Sequence, residues 1–220
     1  MANDTGGNTV KVWDGGLRLF HWALVVAFCL STYSAFQSKF GIYGDMHTYS
    51  GISILVLILW RFLWGFIGSE SARFLRFLRG PKQIKNYVQS QVDEQYAGHN
   101  PIGGVSVIFA LLLLGAQALL GLYASDGMLF SGPFAYRIEY ADTITDIHEI
   151  MGYTLMGWVG LHLLAIAYHY LALKSNLVKP MITGRKTLEA GVSAPTIASP
   201  AKAIVCFLVA SAAVYWWVLS

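Results

Sequence analysis

Five long runs of apolar residues constrain the fold of this chain more than any other feature of its sequence. They cover residues 18–36, 47–67, 102–124, 147–173 and 203–219. An α-helix crosses the apolar core of a bilayer with about 20 consecutive apolar residues, more than a soluble core requires. Since 55% of the residues are hydrophobic and 12% are charged, we expect an all-α integral membrane protein with five transmembrane helices.

The charges between the runs predict how the helices are oriented in the lipid bilayer. Basic residues precede the first run and follow the second and the fourth, namely Lys11, Arg18, Arg73, Arg76, Arg79, Lys82, Lys85, Lys174, Lys179, Arg185 and Lys186. The remaining loops are more acidic and carry Lys39, Asp45, Asp126, Arg137, Glu139, Asp142 and Asp146. Because basic loops stay in the cytoplasm, residues 1–17 are predicted to be cytoplasmic and the C-terminus to lie outside. The net charge of +3 follows from this topology and does not indicate a nucleic-acid partner.

Two histidines lie fourteen residues apart on the fourth apolar run. In an α-helix this spacing returns His148 and His162 to nearly the same face, about 40° apart, and separates them by about 21 Å along the axis. The apolar core of a bilayer is about 30 Å thick. One histidine is therefore expected near each membrane surface, with His148 on the outer side and His162 on the inner side.

Two further histidines lie near the starts of other apolar runs. His21 is one turn into the first run, on the cytoplasmic side, and His47 opens the second run from the outer side. Histidines at equal depth then pair as His47 with His148 and His21 with His162. A lone histidine in an apolar helix is commonly a packed polar residue, but an ionisable group inside the membrane is a functional candidate. Each pair joins two helices, as an iron held between two axial histidines requires, so we predict two haem b groups.

Two other histidines are not used in this pairing. His169 lies seven residues beyond His162 on nearly the same face, within about 20° and about 10 Å nearer the cytoplasm. It is expected to contact a haem propionate, to line a quinone site or to face water. His99 lies in the polar segment 98–101 and is more typical of a turn or a helix cap. The sequence contains no Cys-x-x-Cys-His, which excludes covalent attachment of a c-type haem.

Two glycines and two arginines accompany the candidate ligands. Gly51 and Gly152 each follow a histidine by four residues, where a glycine leaves room for a flat macrocycle, although small residues also serve close helix packing. Arg61 lies fourteen residues after His47, and Arg18 lies one turn before His21. Each arginine either binds a haem propionate through its bidentate guanidinium or extends to the membrane surface.

Three segments carry motifs of a known family. They are residues 12–14 (VWD) with 18–22 (RLFHW), residues 98–104 (GHNPIGG), and residues 176–178 (NLV) with 181–186 (MITGRK). With the two histidines of the fourth run, they resemble the prokaryotic di-haem cytochrome b561 family, which is related to the cytochrome b subunit of nickel–iron hydrogenases. The resemblance covers residues from about 12 to 186. It implies a location in the bacterial inner membrane, with the C-terminus in the periplasm.

The resemblance implies a four-helix transmembrane bundle over residues 18–186 that binds two b-type haems. Its ligands, carried onto this chain, are His21, His47, His148 and His162. The Ala-, Ser-, Thr- and Pro-rich segment 187–202 is a predicted linker, and residues 203–220 form an additional C-terminal transmembrane helix. The implied function is electron transfer between the quinone pool and a partner redox protein, such as a c-type cytochrome, another periplasmic redox protein or a hydrogenase.

Other functions remain open on the sequence alone. A superoxide:quinone oxidoreductase needs cations beside the outer haem, and Lys39 and Arg137 are the cations of the outer loops. A membrane anchor subunit of a larger redox complex needs no histidines at matched depths. A histidine-lined proton or metal path is disfavoured because the first three apolar runs contain no Asp or Glu. The acidic outer loop suits a basic cytochrome through charge steering, although a solvated loop has the same composition.

Overall fold

The computed structural model of this protein describes residues 8–38, 41–89, 96–128, 130–188 and 192–220, so that Lys39 lies outside the described part. The helices in chain order are α1 (Gly15–Ala35), α2 (Ile42–Ile67), α3 (Phe74–Phe77), α4 (Pro81–Gln89), α5 (Pro101–Tyr123), α6 (Ala141–Leu171), α7 (Val178–Thr183) and α8 (Pro200–Leu219). Short 3₁₀ helices form at Glu70–Ala72 and Ala135–Arg137, and two strands form at β1 (Asn8–Lys11) and β2 (Arg185–Leu188).

Five of these helices, α1, α2, α5, α6 and α8, are long and apolar enough to cross a membrane. The prediction of a largely helical protein with five spans is therefore confirmed, and the chain is a multi-pass membrane protein. The one addition is a small sheet, which the hydropathy pattern does not signal.

Two of the spans begin earlier than the apolar runs suggest. Helix α2 starts at Ile42 and helix α6 starts at Ala141. The sequence analysis placed Asp142 and Asp146 in a loop, but both lie inside α6. Each of these helices carries an aspartate in its first turn, Asp45 in α2 and Asp142 in α6. A carboxylate is favourable there because the first turn exposes unpaired N–H groups and the positive end of the helix dipole. Polar residues thus extend a helix beyond its apolar part.

The chain packs as two units, and the first contains Met1–Leu19, Arg61–Phe109 and Ala165–Cys206. In this unit β1 and β2 pair antiparallel, with Asn8 opposite Leu188. The backbone N–H groups of Val12 and Trp13 then both donate to the carbonyl of Gly184, at 2.8 and 3.1 Å. Residues 187 and 188, assigned to the linker by the sequence analysis, therefore belong to a strand, and α8 begins at Pro200.

Asp14 connects separate parts of the first unit. Its Oδ1 accepts the backbone N–H of Leu17 at 2.7 Å, and its Oδ2 accepts the indole N–H of Trp64 at 3.1 Å. The carboxylate is buried and both of its oxygens are hydrogen-bonded, which compensates the cost of removing it from water. The Ser71 hydroxyl donates to the carbonyl of Val12 at 2.6 Å. The VWD segment is thus fixed to the last turns of α2, through Trp64, and to the residues that follow this helix, through Ser71.

His99 packs between two aromatic rings of the same unit. Its ring centroid lies 4.8 Å from that of Trp13 and 4.8 Å from that of Phe77. Its Nδ1 atom is buried and has no hydrogen-bond partner among the described residues. Burial, with a smaller contribution from the nearby positive charge of Arg61, lowers the pKa of His99 to about 3. The imidazole is therefore neutral at physiological pH.

This burial makes a prediction about stability in acid. Unfolding would return the pKa of His99 from about 3 to 6.5. Between these values the unfolded chain binds a proton that the folded chain does not, so the folded state loses stability as the pH falls, by about 1.4 kcal/mol per pH unit. We expect the unfolding midpoint of the detergent-solubilised protein to drop between pH 7 and pH 4.5. A smaller drop is expected for His99→Phe. An equal drop in both proteins would show that the loss of stability in acid does not come from protonation of His99.

The second unit contains Phe20–Trp60, Ala110–Leu164 and Phe207–Ser220. One buried apolar cluster takes a side chain from each of α1, α2, α5 and α6, which are Ala27, Ile54, Leu114 and Leu155. A second cluster joins α2, α5 and the connection between α5 and α6 to α8, through Leu55, Leu122, Phe134 and Val214. The C-terminal helix therefore packs with α2 and α5 within this unit, which a detached anchor would not do.

Candidate functional site

Two of the predicted ligands lie face to edge in the second unit. The ring centroids of His47 on α2 and His148 on α6 are 6.1 Å apart, and their planes are at 84°. A bond from an imidazole nitrogen to a metal is about 2 Å long, which puts two rings on opposite sides of one metal ion with centroids about 6 Å apart. The separation therefore fits an iron held between these two side chains.

The same nitrogen, Nδ1, faces a backbone carbonyl in both rings. Nδ1 of His47 lies 3.0 Å from the carbonyl oxygen of Ser31 and 3.3 Å from the Ser34 hydroxyl. Nδ1 of His148 lies 3.1 Å from the carbonyl oxygen of Gln117. Because a carbonyl oxygen can only accept, Nδ1 carries the proton in both rings, and Nε2 is the nitrogen with the acceptor lone pair. A metal-binding histidine typically has this arrangement, with its other N–H fixed by a carbonyl.

The two rings border a cavity of about 320 Å³ between α1, α2, α5 and α6. Gly51 and Gly152 both line it, as does Gln117. A Cβ atom at Gly51 would meet nothing within 4 Å, and one at Gly152 would lie 3.4 Å from Nε2 of Gln117. Both glycines therefore keep space open at the edge of the cavity. Their role beside a macrocycle stays a prediction.

The sequence analysis missed two residues of α5 at this site, Gln117 and Gly121. A Cβ atom at Gly121 would lie 2.9 Å from Cε1 of His148, closer than side chains normally approach. The glycine thus allows the imidazole to reach the carbonyl of Gln117, one turn earlier on the same helix. The signal that was available is a glutamine in an otherwise apolar run, because polar side chains in such runs commonly bind across helices.

The second predicted pair, His21 on α1 and His162 on α6, also belongs to the second unit. The two side chains are close enough to interact electrostatically. Nδ1 of His21 is buried and has no hydrogen-bond partner among the residues described. The ring of His21 meets the ring of Trp22 edge to face, with centroids 5.1 Å apart. The structure therefore brings together the histidines that the sequence paired, and ligation by this pair stays a prediction.

The two predicted arginines belong to the first unit. Arg61 is 1% exposed, so its side chain does not extend to the surface. Its guanidinium carbon lies 4.9 Å from the ring centroid of Phe74 and 5.9 Å from that of Phe77. Neither of its terminal nitrogens has a hydrogen-bond partner within the described part of the chain. A buried cation needs anionic groups nearby. The carboxylate of Asp14, in the same unit, is close enough to interact with it electrostatically, but it leaves the two terminal nitrogens without a hydrogen bond.

Arg18 is used differently. Its Nη1 donates a hydrogen bond to the carbonyl of Ile182, which ties the RLFHW segment to the MITGRK segment. Its Nε is buried without a hydrogen-bond partner in the described chain. Arg18 therefore has a structural contact and one nitrogen left for another group.

His169, the alternative to His162, lies in the last turn of α6 and belongs to the first unit. Its carbonyl accepts the N–H of Ser175 at 2.9 Å, and its ring meets Tyr168 with centroids 6.2 Å apart. These contacts suit a residue at the end of a helix.

The donor set can be compared with the needs of a metal. Among the described residues, no group of three or more His, Cys, Asp or Glu could hold a bare metal ion. A haem brings four nitrogen ligands of its own and requires two axial ligands from the protein. Two imidazoles that line one cavity, each with Nδ1 facing a carbonyl, meet this requirement, so the His47–His148 pair fits a haem.

Comparisons with known proteins agree with this chemistry. A family model described as prokaryotic cytochrome b561 matches residues 12–184, which contain all four candidate ligands. No curated protein and no solved structure gives a match. The family match covers most of the chain, from the VWD segment to the glycine that ends α7. The chain therefore belongs to the prokaryotic cytochrome b561 family, and is a membrane b-type cytochrome that binds haem and takes part in electron transport.

Proposed function

We propose that this cytochrome holds two haem b groups, the outer one between His47 and His148 and the inner one between His21 and His162. It passes electrons between the quinone pool and a partner redox protein. The observation that carries the proposal is the outer pair, in which two rings 6.1 Å apart border one cavity. The fixed Nδ1 atoms of both rings support it further.

The residues of the outer site suit electron transfer and not oxygen chemistry. His47 and His148 would hold a haem there, and the bound haem would supply one-electron redox chemistry. The carbonyls of Ser31 and Gln117 hold the two rings in place through Nδ1. Rings that are fixed in this way would keep their orientation toward the cofactor.

The charges around the outer cavity favour a cationic partner over an anionic substrate. Asp126 and Glu149 line the cavity, and none of its described lining residues is Lys or Arg. Superoxide, an anion, would be repelled, which disfavours the superoxide:quinone oxidoreductase. A basic periplasmic protein such as a c-type cytochrome would be attracted by charge steering. A bare anchor subunit would have no use for this cavity.

Arg61 and Arg18 are proposed to bind carboxylates of the cofactors. The support is that both terminal nitrogens of Arg61 and Nε of Arg18 are buried without hydrogen bonds in the described chain. A haem propionate would satisfy either guanidinium through charge-assisted hydrogen bonds. Orientation follows the loop charges, with the N-terminus in the cytoplasm and the C-terminus in the periplasm of the inner membrane.

The first test is a pyridine haemochrome count on the purified protein, together with a reduced-minus-oxidised spectrum. Close to two haem b per chain is expected, with two reduction steps in a potentiometric titration. One haem per chain would mean that one of the two histidine pairs does not bind haem. A protein without haem would overturn the electron-transfer function and leave the anchor subunit.

The acidic residues at the start of α6 give a second test. Asp142 and Asp146 precede His148 on α6, Glu149 follows it, and all three side chains are exposed. Their spacing of four and three residues places them on one face of the helix. We expect the double substitution Asp142→Asn with Asp146→Asn to slow electron transfer to a basic c-type cytochrome by on the order of 10-fold at low ionic strength. Stopped-flow mixing of the reduced protein with the oxidised cytochrome measures this rate.

Ionic strength provides the internal control for this test. The difference should disappear in high salt, where surface charges are screened. Glu70→Gln, which removes one negative charge from a loop predicted on the opposite side of the membrane, should leave the rate unchanged. A double variant as fast as the unmodified protein at low salt would exclude the acidic face as the docking surface.

A further inference from the structure

Gln117 contacts one outer ligand through both its backbone and its side chain. Its carbonyl oxygen lies 3.1 Å from Nδ1 of His148. Its side-chain Nε2 donates to the carbonyl oxygen of His148 at 2.9 Å and lies 3.3 Å from the ring atom Nε2 of the same residue. Helix α5 supplies no predicted ligand, yet this one residue meets His148 at three places.

The roles of these atoms follow from what each can accept or donate. The carbonyl of His148 only accepts, so the side-chain atom that faces it is the amide nitrogen of Gln117. The carbonyl of Gln117 also only accepts, so Nδ1 of His148 carries the ring proton and Nε2 is the acceptor for the second amide hydrogen. The side-chain contact therefore marks the lone pair that a metal ion would use.

The two side-chain contacts differ in length, and this difference matters for binding. A metal ion that takes the Nε2 lone pair displaces only the contact at 3.3 Å. The bond at 2.9 Å to the His148 carbonyl is retained. Gln117 can thus hold the helix turn that carries the ligand both with and without the cofactor. The Oε1 atom of Gln117 is buried and has no hydrogen-bond partner among the described residues. A buried polar atom without a hydrogen bond costs free energy, so this amide lies in the cavity wall at the expense of stability.

We propose that Gln117 is the positioning residue of the outer haem site, a role that rests on the proposed function. Its carbonyl selects the ring tautomer. Its amide holds the backbone of the ligand residue and keeps the positive end of a dipole next to the ligand ring. Residues in such a second layer tune the properties of a metal site and its affinity, commonly by 10- to 100-fold. The amide dipole also favours the less positive, reduced state of the iron, because nearby charge and hydrogen bonds set the potential.

Three variants test this role, and the backbone carbonyl is present in all of them. Gln117→Leu keeps the size of the side chain and removes the amide. Gln117→Glu keeps the shape and adds a negative charge next to His148. We expect the midpoint potential of the outer haem to fall in the leucine variant and to fall further in the glutamate variant, with the inner haem unchanged. Gln117→Asn, which is too short to reach the His148 carbonyl, should resemble the leucine variant.

Haem content is measured on the same samples. A lower affinity of the outer site for haem, by about 10-fold or more, is expected when apo-protein variants are titrated with haemin. Loss of the outer haem alone would also support the proposal. Gln83→Leu, the same substitution on the exposed side of α4, should change neither potential nor content.

Two results would overturn the positioning role. Outer potential and haem affinity equal to those of the unmodified protein in all three variants would show that the amide does not act on His148. Loss of both haems in every variant would point to a general packing role. An unmodified protein without two haems would instead refute the proposed function itself, whatever the Gln117 variants did.

Discussion

Replacing His148 with alanine should reduce the haem content from two per chain to one. Alanine has no donor for an iron ion, and the opposite ligand, His47, cannot fill both axial positions of a haem in the cavity. The second pair, His21 and His162, uses different residues and should keep its haem. The pyridine haemochrome count measures the loss directly, and the remaining centre should titrate as a single reduction step.

A matched control separates ligation from the general effect of removing a histidine from α6. His169→Ala makes the same substitution on the same helix, in its last turn, where the ring contacts Tyr168. It should keep two haems. Two haems in His148→Ala would contradict the pair of His148 with His47. Loss of one haem in His169→Ala would instead make His169, and not His162, the partner of His21.

The sequence predicted the features that depend on periodicity and depth. The five spans follow from the length of the apolar runs, and the pairing of histidines follows from a spacing of fourteen residues on one helix. His47 and His148 lie together as this reasoning expected, with their ring centroids 6.1 Å apart. Both features are set by the membrane, whose thickness fixes helix length and depth.

What the sequence could not predict depends on contacts between distant segments. The pairing of β1 with β2 joins residues far apart in the chain, and nothing in either short segment names its partner. The burial of Arg61 against Phe74 is of the same kind, since the position on the helix is equally compatible with a side chain at the surface. Helix starts were also missed at Ile42 and Ala141, because polar first turns do not appear in a hydropathy pattern.

Replacing Gly121 with alanine should weaken the outer haem site although the change is a single methyl group. The new Cβ atom would lie 2.9 Å from Cε1 of His148, so the ring must move away from α5. That movement lengthens the hydrogen bond between Nδ1 and the carbonyl of Gln117, which holds the tautomer and direction of the ring. We expect the affinity of the outer site for haem to fall by about 10- to 100-fold, measured by haemin titration of the apo-protein.

Gly115→Ala is the matched control on the same helix, where the new Cβ would lie at an ordinary distance of 3.6 Å from Cγ2 of Ile58. Alanine is favoured over glycine inside a helix by about 1 kcal/mol, so both variants should stabilise α5 itself. A loss of outer haem at Gly121 therefore cannot come from a weaker helix and must come from the displaced ring. Equal haem affinity in the two variants would mean that His148 does not need the α5 backbone to bind the iron.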